Sequence, residues 1–179
     1  YIEKFNLYEN YDDKKTQILK KILQRDLIGD KNRFDVIDIL IKKFLGKSSK
    51  EIASEIYLDL DGLLFLKSIG MLFGSHGNTH RWLDKLNYYE QKSEIKESFE
   101  ILKNLKLIQD KDAKAMCYPF GGFNNQTISI MDELNIDIGF TTKEAASKLS
   151  QKADSIFKLP RWDTNNCWDS KWRRPCTPC

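Results

Sequence analysis

Both histidines of the chain, His76 and His80, fall within the stretch FGSHGNTH, residues 73–80. Neutral imidazole is the commonest protein ligand for zinc and similar ions. The spacing lets two imidazoles face one point if a helical turn follows. The zinc-protease pattern H-E-x-x-H is excluded, because Gly77 stands where its catalytic glutamate must be. A two-histidine site also needs a third ligand, usually a carboxylate, and an open position for water. Taken alone, the pair reads more readily as surface or capping histidines.

A second stretch, CYPFGG at residues 117–122, adds a turn with its own chemistry. Pro119 removes a backbone donor and fixes the chain at the end of an apolar run. Gly121 and Gly122 let a substrate approach the backbone closely. Such a turn can aim an unpaired N–H at a developing oxyanion. In isolation it reads first as an ordinary strand-ending turn. The cysteines say less. Cys117 is isolated in the apolar run, and Cys167, Cys176 and Cys179 cluster at the end. The terminal C-x-x-C lacks the other half of a zinc site unless Cys167 joins, and no strand-turn-helix pattern surrounds it.

These segments need elements to hold them. Residues 13–28 place Ile18, Leu19, Ile22 and Leu23 on one helical face. Residues 33–45 bring Phe34, Ile37, Ile41 and Phe44 together, with Gly46 as C-cap. Ser48 or Ser49 caps a short helix through Ile56, with Glu51 set for a capping box. Asp59 or Asp61 starts another helix, stopped at Gly70. Then the grammar changes. MLFGS is a short apolar run that fits a buried strand and delivers His76 at its carboxyl end, where α/β sheets bind ligands. A long amphipathic helix follows Tyr88, with Ile95, Phe99, Leu102 and Leu105 inside. AKAMCYPF is a second strand, QTISIMDELN a helix, IDIGFTT a third strand and SIFKLPRW a fourth. From residue 71 onward the order β-α-β-α-β-β predicts an α/β fold with a mostly parallel sheet.

The bulk numbers exclude several classes. The 179 residues suffice for one domain with a core. The composition, 41% hydrophobic and 31% charged, is that of an ordinary globular protein. A net charge of +3 with intermixed signs gives no reason to expect a nucleic-acid partner. No apolar run approaches the roughly 18 residues that span a bilayer.

Taken in order, the two segments resemble the polysaccharide deacetylase family, the nodulation-deacetylase homology domain. GSHGNTH is similar to its His-[Ser/Thr]-x-x-His motif, with Gly77 in the Ser/Thr place. CYPFG is similar to the branch that writes Tyr-Pro-[aromatic]-Gly, with Cys117 where other members have arginine. The run ending in Gly70 and Met71 resembles the family's lead-in helix, and LPRWDT its later Leu-Pro-Arg segment. The resemblance covers residues 57–165. It implies a partial, distorted (β/α) barrel over 57–165 and a helical insertion over 1–56, while residues 166–179, rich in Cys, Trp and Pro and without periodicity, read as an irregular tail. It also implies a hydrolase that removes N- or O-acetyl groups from a sugar or polysaccharide, using one divalent metal ion, usually zinc. His76 and His80 would be metal ligands, and the Phe120 N–H would complete an oxyanion hole. Tyr118, Pro119, Phe120, Gly121 and Trp162 would line the sugar groove. Arg161 would orient the catalytic carboxylate, assisted by Asp163.

Two family motifs have no match. Asp12 and Asp13 are tempting as the Asp-Asp motif that supplies the base and the third ligand, but their surroundings are polar and open a lysine-rich helix. That motif is expected to lie before Tyr1. The Leu-x-His motif is absent, since no third histidine exists. The chain is therefore expected to be an internal fragment with impaired activity. Two other readings stay open: a non-catalytic carbohydrate-binding or inactive homologue, with Trp82, Tyr118, Phe120 and Trp162 as stacking surface, and an unrelated helical interaction protein. Neighbouring parallel strands at MLFGS and AMCYP would count against the last. Sugar identity, metal identity, oligomeric state and localisation stay open.

Overall fold

A computed structural model describes residues 12–23, 30–145 and 156–162. The chain divides into two compact units, Tyr1–Asp59 and Leu60–Cys179.

The first unit is helical: α1 (Lys14–Lys21), α2 (Asp30–Leu45) and α3 (Ser49–Ile56). Its boundaries follow local chemistry. Asp13 caps α1 by accepting the Thr16 N–H at 2.7 Å. The Gly46 N–H closes the end of α2 on the Lys42 carbonyl. Ser48 and Glu51 form the expected reciprocal capping box at α3. Burial departs from expectation. Of the stripe Phe34, Ile37, Ile41 and Phe44, the two phenylalanines are exposed, at 52% and 72%, and the isoleucines only half-buried. The three helices described there offer too little surface to cover that face.

The second unit carries α4 (Leu60–Ser68), a 3-10 turn at Leu83–Lys85, and α5 (Tyr88–Asn104). Strand β1 (Ala115–Cys117), a second 3-10 turn at Pro119–Gly121, α6 (Asn125–Glu133) and strand β2 (Ile138–Phe140) follow. Capping boxes start α5 (Asn87 with Glu90) and α6 (Asn124 with Thr127). Strand β1 pairs parallel with β2, Met116 opposite Gly139. Single parallel bridges extend the sheet on both sides, Ser75 to Met116 and Phe140 to Leu159. Spatial order thus equals chain order, with α5 and α6 as the crossovers, the progression a parallel α/β unit requires.

Four strands are expected, and the described residues hold two of them as strands. The MLFGS and SIFKLPRW segments each contribute one bridge. Pairing needs a partner, and Met71 and Leu72 have none that covers them, being 54% and 92% exposed. Residues 156–158 form a helix end and a turn instead of a strand. The described residues make a small parallel sheet with helices, not a closed barrel. MLFGS and AMCYP are nevertheless neighbours, which counts against an unrelated helical protein.

The core joins the sheet to α5 and α6 through Leu83, Ile95, Phe99, Ile108, Met116, Tyr118, Ile130 and Met131, among others. Each such side chain contributes roughly 1.5–3 kcal/mol on burial. Gly74 lets the first segment reach β1, since a Cβ there would stand 2.8 Å from the Ala115 carbonyl oxygen.

Candidate metal and deacetylation site

The functional segments all leave the carboxyl ends of the parallel segments. His76 follows Ser75, Tyr118 follows β1, and Arg161 follows Leu159. The Ser75 N–H donates to Ala115 O at 2.8 Å and the Cys117 N–H to Ser75 O at 2.9 Å. This pairing sets the two motifs side by side, although they are far apart in sequence.

His76 and His80 meet. Their ring centroids are 4.7 Å apart, with planes at 63°. Two imidazoles sharing a tetrahedral ion at about 2.0–2.1 Å would have centroids about 5 Å apart, a separation close to the one seen here. The His76 Nδ1 lies 2.7 Å from the Cys117 carbonyl oxygen. A carbonyl only accepts, so Nδ1 donates to it, and in the neutral ring the lone pair is then on Nε2. His80 adopts φ 59° and sets its ring edge on Phe120, with centroids 4.6 Å apart. Among the described residues, no cluster of three or more His, Cys, Asp or Glu side chains completes a metal site.

Phe120 sits in the left-handed region, φ 55° and ψ 11°. That conformation costs a non-glycine residue roughly 1–3 kcal/mol and persists only where its surroundings impose it. Here the Gly121 and Gly122 N–H groups bond back to Tyr118 and Pro119 carbonyls, both at 2.9 Å. Gly121 has φ 72°, and a Cβ there would collide with the Thr142 side chain. The Phe120 ring stacks on Trp82 at 4.7 Å and 9°. His80, Phe120 and Trp82 therefore form one continuous ring assembly.

Beside it lies an open cavity of about 390 Å³ whose lining includes His76, Cys117, Phe140 and Arg161. The Arg161 Nε donates to the Thr141 carbonyl at 3.0 Å, and its Nη1 lies 3.6 Å from Cys117 Sγ. Arg161 and His76 thus line the same cavity. Trp162 is 40% exposed. Asp163, Cys167, Cys176 and Cys179 lie outside the described residues.

Tyr118 and Pro119 correct the expected groove. Both are fully buried. The Tyr118 ring stacks on Phe123, and its hydroxyl donates to the Phe157 carbonyl at 2.7 Å. Burial pushes this phenol well above its usual range. Strand alternation explains the placement: Met116 and Tyr118 point into the core, while Ala115 and Cys117 line the cavity. Tyr118 has no surface to offer a sugar.

The sequence reading also passed over Glu94, a buried carboxylate of α5 that bonds the segment between the histidines. A charged residue on an amphipathic helix reads as solvent-facing, so periodicity gave no sign of it.

Comparisons agree with the motif reading. Residues 60–139 match the family model described as polysaccharide deacetylase. The resemblance read from the two motifs is borne out over that stretch. The Streptococcus pyogenes deacetylase PplD, solved in complex with acetate, has a similar fold. The match has 24% identity and a TM-score of 0.54, and covers 81% of this chain and 70% of that one. A Bacillus anthracis protein assigned to the polysaccharide deacetylases, BA0330, matches at 26% identity with a TM-score of 0.49. That match covers 58% of this chain and 31% of the other. No curated protein sequence is significantly similar to the chain.

Proposed function

We propose that this chain supplies the histidine half of a metal-dependent carbohydrate deacetylase, a hydrolase acting on an N- or O-acetylated sugar. The observation that carries the reading is the contact of His76 Nδ1 with the Cys117 carbonyl oxygen, beside the approach of the two imidazoles. The His76 Nδ1–H is held by Cys117 O, and its ring stands 4.7 Å from that of His80. His76 and His80 would hold one divalent ion, with zinc the best fit to two imidazoles. When bound, the ion would polarise the acetyl carbonyl and lower the pKa of water.

The chain's own residues would do the rest. The Phe120 N–H, presented by its left-handed turn, would donate to the oxygen that gains negative charge. The stacked Trp82–Phe120 pair would give a sugar ring a flat apolar face beside the histidines. Arg161 would bring a fixed positive charge to orient a catalytic carboxylate, with Asp163 as its helper. The third ligand and the general base would have to come from outside the described residues. Without a base, a loss on the order of 10² to 10⁴ in rate is expected.

The test is acetate release from an acetylated chito-oligosaccharide and, separately, from an acetyl ester. The zinc-loaded chain is compared with His76→Ala and His80→Ala. Slow release that both substitutions abolish supports the reading, and the substrate that responds separates amide from ester chemistry. Release that survives both substitutions sinks it. A second reading, a non-catalytic carbohydrate-binding homologue, is favoured by the lack of a complete metal cluster among the described residues. It predicts oligosaccharide binding with no acetate release.

A further inference from the structure

We propose that Glu94 is a positioning residue whose buried carboxylate shapes the segment between His76 and His80 and thereby holds the two imidazoles together. Its use at a metal rests on the function proposed above, while its effect on the histidine geometry does not.

Glu94 lies on α5 and is only 6% exposed. Its Oε2 accepts the N–H of Asn78 at 3.1 Å and of Thr79 at 2.9 Å, and its Oε1 accepts the Thr79 hydroxyl. A buried carboxylate must be matched by donors, and here these donors come from the two residues just before His80. Two neighbours on α5 reinforce the grip. Glu97 accepts the Asn78 side-chain amide at 2.8 Å. The Ser98 hydroxyl donates to Ile95 O, so the Ser75 hydroxyl donates to Ser98 at 2.5 Å and in turn accepts the Gly77 N–H at 3.2 Å. Ser75, Asn78 and Thr79 are thus bonded directly to α5, and Gly77 is bonded to Ser75.

The helix does not need Glu94 for its own placement. It is started by the Asn87–Glu90 box and seated by Ile95 and Phe99 in the core. What Glu94 determines lies on the other side of its hydrogen bonds. Gathering consecutive N–H groups onto one anion bends the chain sharply, and His80 leaves that bend at φ 59°. Its ring then lands against both His76 and Phe120. Released from the carboxylate, His80 would relax toward negative φ, where most residues lie, and its imidazole would leave the pair.

The experiment uses the full 179-residue chain with Glu94→Gln and Glu94→Ala. Glutamine keeps the volume but turns one acceptor into a donor facing other donors. Amide exchange at Asn78 and Thr79 is expected to accelerate about 10- to 100-fold, while core amides of α6 keep their rates. The His80 ring protons should lose the ring-current shift from Phe120. Zinc affinity should fall about 10- to 100-fold, as for a group that orients a ligand. If both variants leave the exchange and the His80 shifts unchanged, the role is overturned. Acceleration as large in α6 as in the loop also overturns it, since Glu94 would then be only a general stabiliser. Should the alanine variant fail to fold, the glutamine variant decides. A wild-type chain without zinc affinity would sink the metal reading and still leave the exchange and ring shifts to judge Glu94.

Discussion

The Nδ1–H of His76 donates to the Cys117 carbonyl oxygen at 2.7 Å, so the backbone of one motif sets the tautomer of the other. An imidazole held this way presents Nε2 as its basic atom. Nitrogen-edited NMR should find His76 predominantly as the Nδ1–H tautomer in the neutral protein. A dominant Nε2–H form would remove the main support for ligation. His76→Ala and His80→Ala should each lower zinc affinity by at least about 100-fold, more than the loss of an orienting group. Competition with a chromogenic chelator measures it.

Tyr118 belongs to the core, and its hydroxyl reaches only the Phe157 carbonyl among the described residues. Tyr118→Phe should destabilise the fold by about 1–2 kcal/mol, the worth of that bond together with an unpaired acceptor. Oligosaccharide affinity should not change. Urea unfolding and a binding titration on the same variant separate the two effects, and a lost affinity at full stability would return Tyr118 to the groove.

Gly121 combines a positive φ with a neighbour that leaves no room, the Thr142 side chain. Gly121→Ala should lose about 1–3 kcal/mol in thermal denaturation. Adding Thr142→Ala should recover only part of this, because the backbone strain outlasts the collision. Full recovery would show that the collision alone matters.

Helices α5 and α6 are tied by Glu133, which accepts from Lys92 Nζ at 2.5 Å and from the Tyr88 hydroxyl. The Lys92 bond, then that of Tyr88, lowers the Glu133 carboxyl below its ordinary 4.5. Its contribution to stability is present above pH 4.5 and is lost as pH falls through the lowered value. The bond to Glu133 raises Lys92 above 10.5, so that contribution is lost as pH rises through the raised value. The melting-temperature gap between wild type and Glu133→Gln should therefore be widest near neutrality and close at both extremes. A gap independent of pH would show that the link is not electrostatic. The site is exposed, so the gap should also shrink with salt.

Much of the local structure was legible because its causes are local. Ser48 and Glu51 are three residues apart, and a capping box needs nothing else. The long helix after Tyr88 was readable from Ile95 and Phe99. The outer strands were not, because a strand exists only where a partner pairs with it. Ser75 and Leu159 each find one partner position. Alternation with Met116 is the sequence signal that places Tyr118 in the core, and the adjoining Pro119 and Gly121 mask it with the pattern of a turn.

By itself the sequence determined the chemistry on offer: two imidazoles, a Tyr-Pro-Phe-Gly turn, an arginine and the helices between them. Residue types and short-range spacing carry that information. Only the tertiary structure decided that His76 takes its proton position from Cys117, that Arg161 reaches the same cavity, and that Glu94 leaves solvent to hold the turn before His80. Those relations join residues distant in sequence, and parallel pairing with helical crossovers is what brings them within hydrogen-bond reach.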